Sequence, residues 1–119
     1  MYTINPSDKE KQAFMQILYT FFLVDKHVEK IEEEFLNAIG KDIFSMSDIE
    51  QVNLNSAQLD TAIGQIQDGL MKYYLIAIII EIAKISNQFG NPEVQSWITN
   101  LIHLCHFPDE TTLKIKKLW

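Results

Sequence analysis

Leu70-Met71-Lys72-Tyr73-Tyr74-Leu75-Ile76-Ala77-Ile78-Ile79-Ile80-Glu81-Ile82-Ala83-Lys84-Ile85 is the stretch on which the fold turns. Its unbroken apolar run, Tyr73 through Ile80, lies between Lys72 and Glu81 and falls far short of the ~20 residues that cross a bilayer. It reads as a helix buried on most sides. A helix that is greasy around most of its circumference belongs in the middle of a bundle, with its neighbours wrapped around it.

Reading outward, Asp68-Gly69 breaks the chain just before this helix. Asn55 or Ser56 can cap an earlier helix that carries Leu59, Ile63 and Ile66 inward. Ser7-Asp8-Lys9-Glu10 is a capping box, in which the Ser7 hydroxyl accepts from the Glu10 N–H and the Glu10 carboxylate reaches back. The first helix therefore starts there. Phe14, Ile17, Leu18, Phe21 and Phe22 recur at three- and four-residue spacing along it, and it ends near Val24 or Asp25.

A second helix is expected from about Glu29 to Ile39, with Gly40 as its left-handed C-terminal cap. Ser47-Asp48-Ile49-Glu50 is another capping box, opening a short helix that stops around Asn53, and Lys41 to Asn55 is the stretch expected to be least ordered. On the C-terminal side, Asn91 can cap and Pro92 can open a helix whose inner face is Val94, Trp97, Ile98, Leu101, Ile102 and Cys105. Phe107-Pro108-Asp109 then turns into a last short helix, with Leu113, Leu118 and Trp119 packing back.

No segment alternates strictly between apolar and polar residues, and no Asn-Gly or Gly-Gly pair separates β-rich runs. The expectation is an all-α, compact helical bundle of six to seven helices around a central apolar helix. A chain of 119 residues suits one domain, 1–119, able to bury about 65–70% of its unfolded surface.

The chain also carries an internal echo. Phe21-Phe22-Leu23-Val24 runs into Asp25-Lys26-His27-Val28 and then Glu32, while Ile82-Ala83-Lys84-Ile85 runs into Ser86-Asn87-Gln88-Phe89 and then Glu93. Each copy has an apolar residue three positions after the turn begins and a glutamate seven after, so the same tight connection can join helices in both.

These stretches resemble the tellurite-resistance TerB-like family of small all-helical domains, whose signature is a helix end, then Asp-Gly, then a helix with glutamate at its third position. Asp25, Val28 and Glu32 fit the first copy, with Lys26 where the family has glycine. The second copy keeps Phe89 and Glu93 but has Ser86 where aspartate is expected. The resemblance spans roughly residues 10 to 118. It implies a TerB-like bundle acting as a non-enzymatic sensor or scaffold in a stress-response or defence setting, with an acidic cluster of the kind that binds a divalent metal.

Asp25 sits where the first helix ends, and a carboxylate there opposes the helix dipole by ~0.3–1 kcal/mol. Glu29, Glu32 and Glu33 fall in the first turn and a half of the next helix, so several oxygens can converge on Asp25. Hard cations such as Ca²⁺ or Mg²⁺ take six or more oxygens, waters and carbonyls included. Asp25, Glu29 and Glu32, joined by Glu93 if the two echoes face each other across a pseudo-twofold, form the candidate metal site. The same carboxylates also suit a plain solvated helix start, favoured by the dipole and neutralised by Lys26 and Lys30.

His103, Cys105 and His106 have the residue types of a zinc site, but 103 and 106 share a helix face from which 105 points away. No second Cys or His pair supplies the four convergent ligands of a structural site. Cys105 is expected to pack as a small apolar group. No nucleophile elbow, P-loop or dinucleotide fingerprint is present, and nothing singles out an acid–base pair, so no enzyme activity is expected.

The formal net charge of −6 argues against nucleic acid, which needs clustered Lys and Arg, and favours a basic protein partner or a metal. The alternative role is therefore a small acidic protein–protein interaction factor of inhibitor or immunity type, which has kept the fold and lost the metal site. A homodimer through surplus apolar surface around Phe21, Phe22 or Trp97 is compatible with either role. Lys114-Ile115-Lys116-Lys117-Leu118-Trp119 reads as cations at a helix C-terminus rather than as a peripheral membrane contact. A lone cysteine cannot form an internal disulfide, and no basic segment precedes an apolar run at the N-terminus, so the expected location is cytoplasmic.

Overall fold

A computed structural model describes residues 6–24, 30–46, 52–85 and 90–118. The capping box opens α1 (Asp8–Val24): the Ser7 N–H donates to Glu10 Oε1 at 3.0 Å and the Glu10 N–H to Ser7 Oγ at 3.2 Å. Then come α2 (Lys30–Ala38), a π-helical turn (Ile39–Ile43), α3 (Ser56–Gln65), α4 (Gly69–Ile85), α5 (Pro92–Cys105) and α6 (Asp109–Leu118). The described residues are all helix, turn and connection, with no strand among them, in a compact body of radius of gyration 13.5 Å. No described helix is long and apolar enough to cross a membrane.

The caps act as their side chains dictate. Asn55 and Gln58 close a reciprocal capping box on α3, with bonds of 2.9 and 3.0 Å. Asp68 Oδ1 accepts from the Leu70 N–H at 2.9 Å, so the Asp68-Gly69 break is itself the cap of α4. Asn91 accepts from the Glu93 N–H with Pro92 in the first turn of α5. The Ser47 capping box lies outside the described residues.

Two local expectations are corrected. Gly40 is not a left-handed cap: it lies inside the π-helical turn, and Ser45, at φ 55°, takes the left-handed conformation instead. The Phe44 N–H donates to the Ile39 carbonyl at 3.2 Å, an i→i+5 bond that sets residues five apart above one another, so that Ile39 and Phe44 both turn inward. Phe44 then meets Phe14 edge to face at 5.0 Å. Leu113 does not pack back; it is exposed, and Ile115 carries the buried face of α6. The stretch expected to be least ordered, Lys41 to Asn55, lies partly outside the described residues; Lys41 to Ile43 are helical, and the end of the stretch is pinned to α1, where the buried Thr20 hydroxyl donates to the Gln16 carbonyl at 2.8 Å and accepts from the Leu54 N–H at 3.0 Å.

The expected centre also shifts. α1 packs against α2, α3, α4 and α5, whereas α4 packs against α1, α5 and α6. Met71, Leu75, Ile76, Ile79, Ile80 and Ala83 of α4 are buried, but Tyr74, Glu81 and Ile85 on its opposite side are exposed. Tyr73, Ile78 and Ile82 are half-buried against the core, so α4 is open along one strip of its circumference.

Candidate functional site

Of the four residues of the candidate metal site, Asp25 and Glu29 lie outside the described residues. Glu32 belongs to α2, and its side chain lies outside them too. Glu93 is exposed in the first turn of α5, where the helix dipole favours a carboxylate. Among the described residues it lines a shallow depression with Pro92, Ser96, Trp97, Asn100 and Ser56, which bring hydroxyls and an amide.

The ring of Phe21 lies 5.4 Å from that of Trp97, so the last turns of α1 rest on the start of α5. The elbows 25–29 and 86–89, and with them the pseudo-twofold, lie outside the described residues. Among the described residues no three His, Cys, Asp or Glu side chains converge to hold a metal ion.

The zinc pattern resolves differently from its spacing. α5 ends at Cys105, and His106 takes the left-handed conformation (φ 52°, ψ 47°), so it does not continue the helix face of His103. Both histidines are exposed, with ring centroids 6.1 Å apart, while Cys105 is buried. Burial pushes its thiol up to about 12 against the opposing pull of the Lys72 ammonium. A thiol so held stays protonated near neutral pH and packs as a small apolar group.

A site that the sequence reading did not locate lies on the outer side of α4. A half-open cavity of about 570 Å³ is floored by Phe14 of α1, Met71 of α4, and Ile39 and Phe44 at the ends of the π-helical turn. Tyr74, Ala77, Ile78 and Glu81 form its α4 wall, with Pro6 and Leu118 at its margins. The volume is in the range of about 300–1,000 Å³ that ligand and side-chain pockets occupy. Among the described lining residues Glu81 brings the one carboxylate and Tyr74 a hydroxyl, and the rest are apolar.

Local chemistry builds this cavity. The i→i+5 register brings Ile39 and Phe44 to one side, and Phe14 supports Phe44 from beneath. Glu10 fixes the entrance of α4 against α1, its Oε2 accepting from the N–H groups of Gln67 at 3.1 Å and Asp68 at 3.4 Å. The Ser7 N–H, more than those of Gln67 and Asp68, holds the Glu10 carboxyl below its usual range against the opposing effect of burial. α4 carries apolar residues at helical spacing on two faces, which the sequence alone reads as a helix buried on most sides.

Comparison of the chain with protein-family models, with characterised proteins and with solved structures returned no match.

Proposed function

We propose that this chain is a non-enzymatic, TerB-like helical domain that works as an acidic protein-interaction factor, taking part of a partner protein against the outer face of α4. The observation that carries the reading is the open apolar cavity beside Tyr74 and Ile78, in a chain whose net charge is −6. Soluble domains seldom leave a continuous apolar patch uncovered unless something binds there. The described lining suits recognition: the Glu81 carboxylate and the Tyr74 phenol stand among aliphatic and aromatic groups.

Of the two roles suggested by the resemblance and the charge, cation sensing and protein binding, this reading takes the second. Ser86 replaces an expected aspartate, and the described residues beside Glu93 in the depression it lines bring hydroxyls and an amide, weaker ligands for a hard cation than carboxylates.

Affinity capture from the native cell, with the full chain and with Tyr74→Ala/Ile85→Ala as baits, tests it. The expected partner is retained in chelator, released by high salt and lost on the double variant, whose positions are exposed and spare the fold. Loss in chelator would restore the cation role. Equal capture by both baits would remove the cavity from the function.

A further inference from the structure

Tyr74, Ile78, Glu81 and Ile85 succeed one another along α4 at intervals of four, three and four residues. At 3.6 residues per turn they fall, together with Ala77, within an arc of about 100°. The stripe is about 16 Å long, three helical turns. Tyr74 is 47% exposed and Ile85 76%, while the opposite side of the helix supplies Leu75, Ile76, Ile79 and Ala83 to the core at 0%. The cavity opens beside the first half of the stripe, over Phe14 and Met71.

Spacing of this kind is what one helix offers another: ridges at three and four residues mesh with the same ridges on the partner. We propose that the outer stripe of α4 and its cavity hold one amphipathic basic helix of another protein, with large apolar side chains in the cavity and a lysine or arginine on Glu81. The proposal rests on the protein-binding reading above and names the partner's chemistry.

Charge selects this occupant. Glu81 lies in the middle of the stripe, where a cation on the incoming helix is matched and an anion repelled. Lys84, one turn along, directs its ammonium to the Leu118 carbonyl of α6. A second copy of this chain fits poorly, because each would bring a net charge of −6 and its own Glu81 into a shared apolar seam.

The test uses the full ¹⁵N-labelled chain and two model peptides of about 18 residues, five helical turns, with leucines at three- and four-residue spacing. The remaining positions are lysine in one and glutamate in the other. The Leu/Lys peptide is expected to shift the backbone resonances of residues 74–85 and to bind at least about tenfold more tightly than the Leu/Glu peptide. Tyr74→Ala/Ile85→Ala weakens the Leu/Lys complex at least about tenfold, and Glu81→Lys removes the preference between peptides.

Shifts confined to another surface would overturn the proposal, as would undiminished binding by the double variant, which would mean attraction by charge alone. So would a dimer by light scattering that the double variant abolishes, or a small apolar molecule, retained in native mass spectra, that blocks the peptide. If the peptides miss α4 while the cellular partner is still lost on Tyr74→Ala/Ile85→Ala, the helix assignment falls and protein binding stands. If both fail, the underlying reading falls with it.

Discussion

α1 and α4 are both 17-residue helices, and α4 is the richer in apolar side chains, yet α1 holds the centre. The buried residues of α1, Ala13, Phe14, Met15, Ile17, Leu18, Thr20, Phe21 and Phe22, spread over more than half of its circumference at about 100° per residue. It accordingly packs against four other helices. α4 carries more apolar surface than its three neighbours cover, and the remainder faces the cavity. The amount of apolar surface says how much a helix would gain from burial, but the arrangement of its neighbours decides how much is buried. The excess is where binding becomes available.

The comparison breaks most visibly in stability. Leu18→Ala on α1 and Ile79→Ala on the inner side of α4 both remove fully buried methyl groups. Each is expected to lower the unfolding free energy by about 2–5 kcal/mol in urea titration. Ile85→Ala on the outer stripe is expected to stay within about 0.5 kcal/mol of the parent. A cost at Ile85 equal to that at Ile79 would show the outer stripe to be core, and the contrast between the two faces would vanish.

A sharper probe of α1 as the hub is Thr20→Val, which keeps the volume and removes the hydroxyl. The Leu54 N–H then loses its acceptor, at an expected cost of about 1–3 kcal/mol, and the Leu54 amide exchanges its hydrogen faster. Unchanged exchange at Leu54 would detach the 52–55 segment from α1.

Glu10 links the starts of the two helices. Its folded-state pKa lies below the unfolded value, so its contribution is fully present above the unfolded pKa and is lost as pH falls through the folded one. Glu10→Gln is therefore expected to cost about 1 kcal/mol or less at neutral pH and nothing in strong acid, with a flatter dependence of melting temperature on pH between them. An equal loss at both ends of the pH range would mean that the carboxylate charge plays no part.

Much of this architecture was legible residue by residue. Ser7 with Glu10, Asn55 with Gln58, Asp68, and Asn91 with Pro92 act over two or three residues, so local chemistry specifies where α1, α3, α4 and α5 begin. The inner stripes of α1 and α5 followed from their period. What was illegible depends on distant partners. The π-helical turn exists where Phe44 meets Phe14, and Ile115 rather than Leu113 faces inward because of where α6 docks on α4. The outer face of α4 was hidden by its own composition, since a helix apolar on two sides reads the same whether both are covered or one is open.

The smallest effect is expected from divalent ions. If protein binding on α4 is the function and the acidic elbow is a solvated helix start, titration of metal-free chain with Ca²⁺ or Mg²⁺ gives no saturable heat at millimolar ion. Hard cations need six or more oxygens, and Ser86 supplies a neutral hydroxyl where a carboxylate would count. Glu93 is exposed at a helix N-terminus, where the dipole already stabilises its charge without a cation. Saturable heat that disappears in Asp25→Ala/Glu32→Ala would reverse this, making the elbow the working site and leaving the open face of α4 to a structural neighbour. Heat that survives the double substitution would instead place any cation away from both.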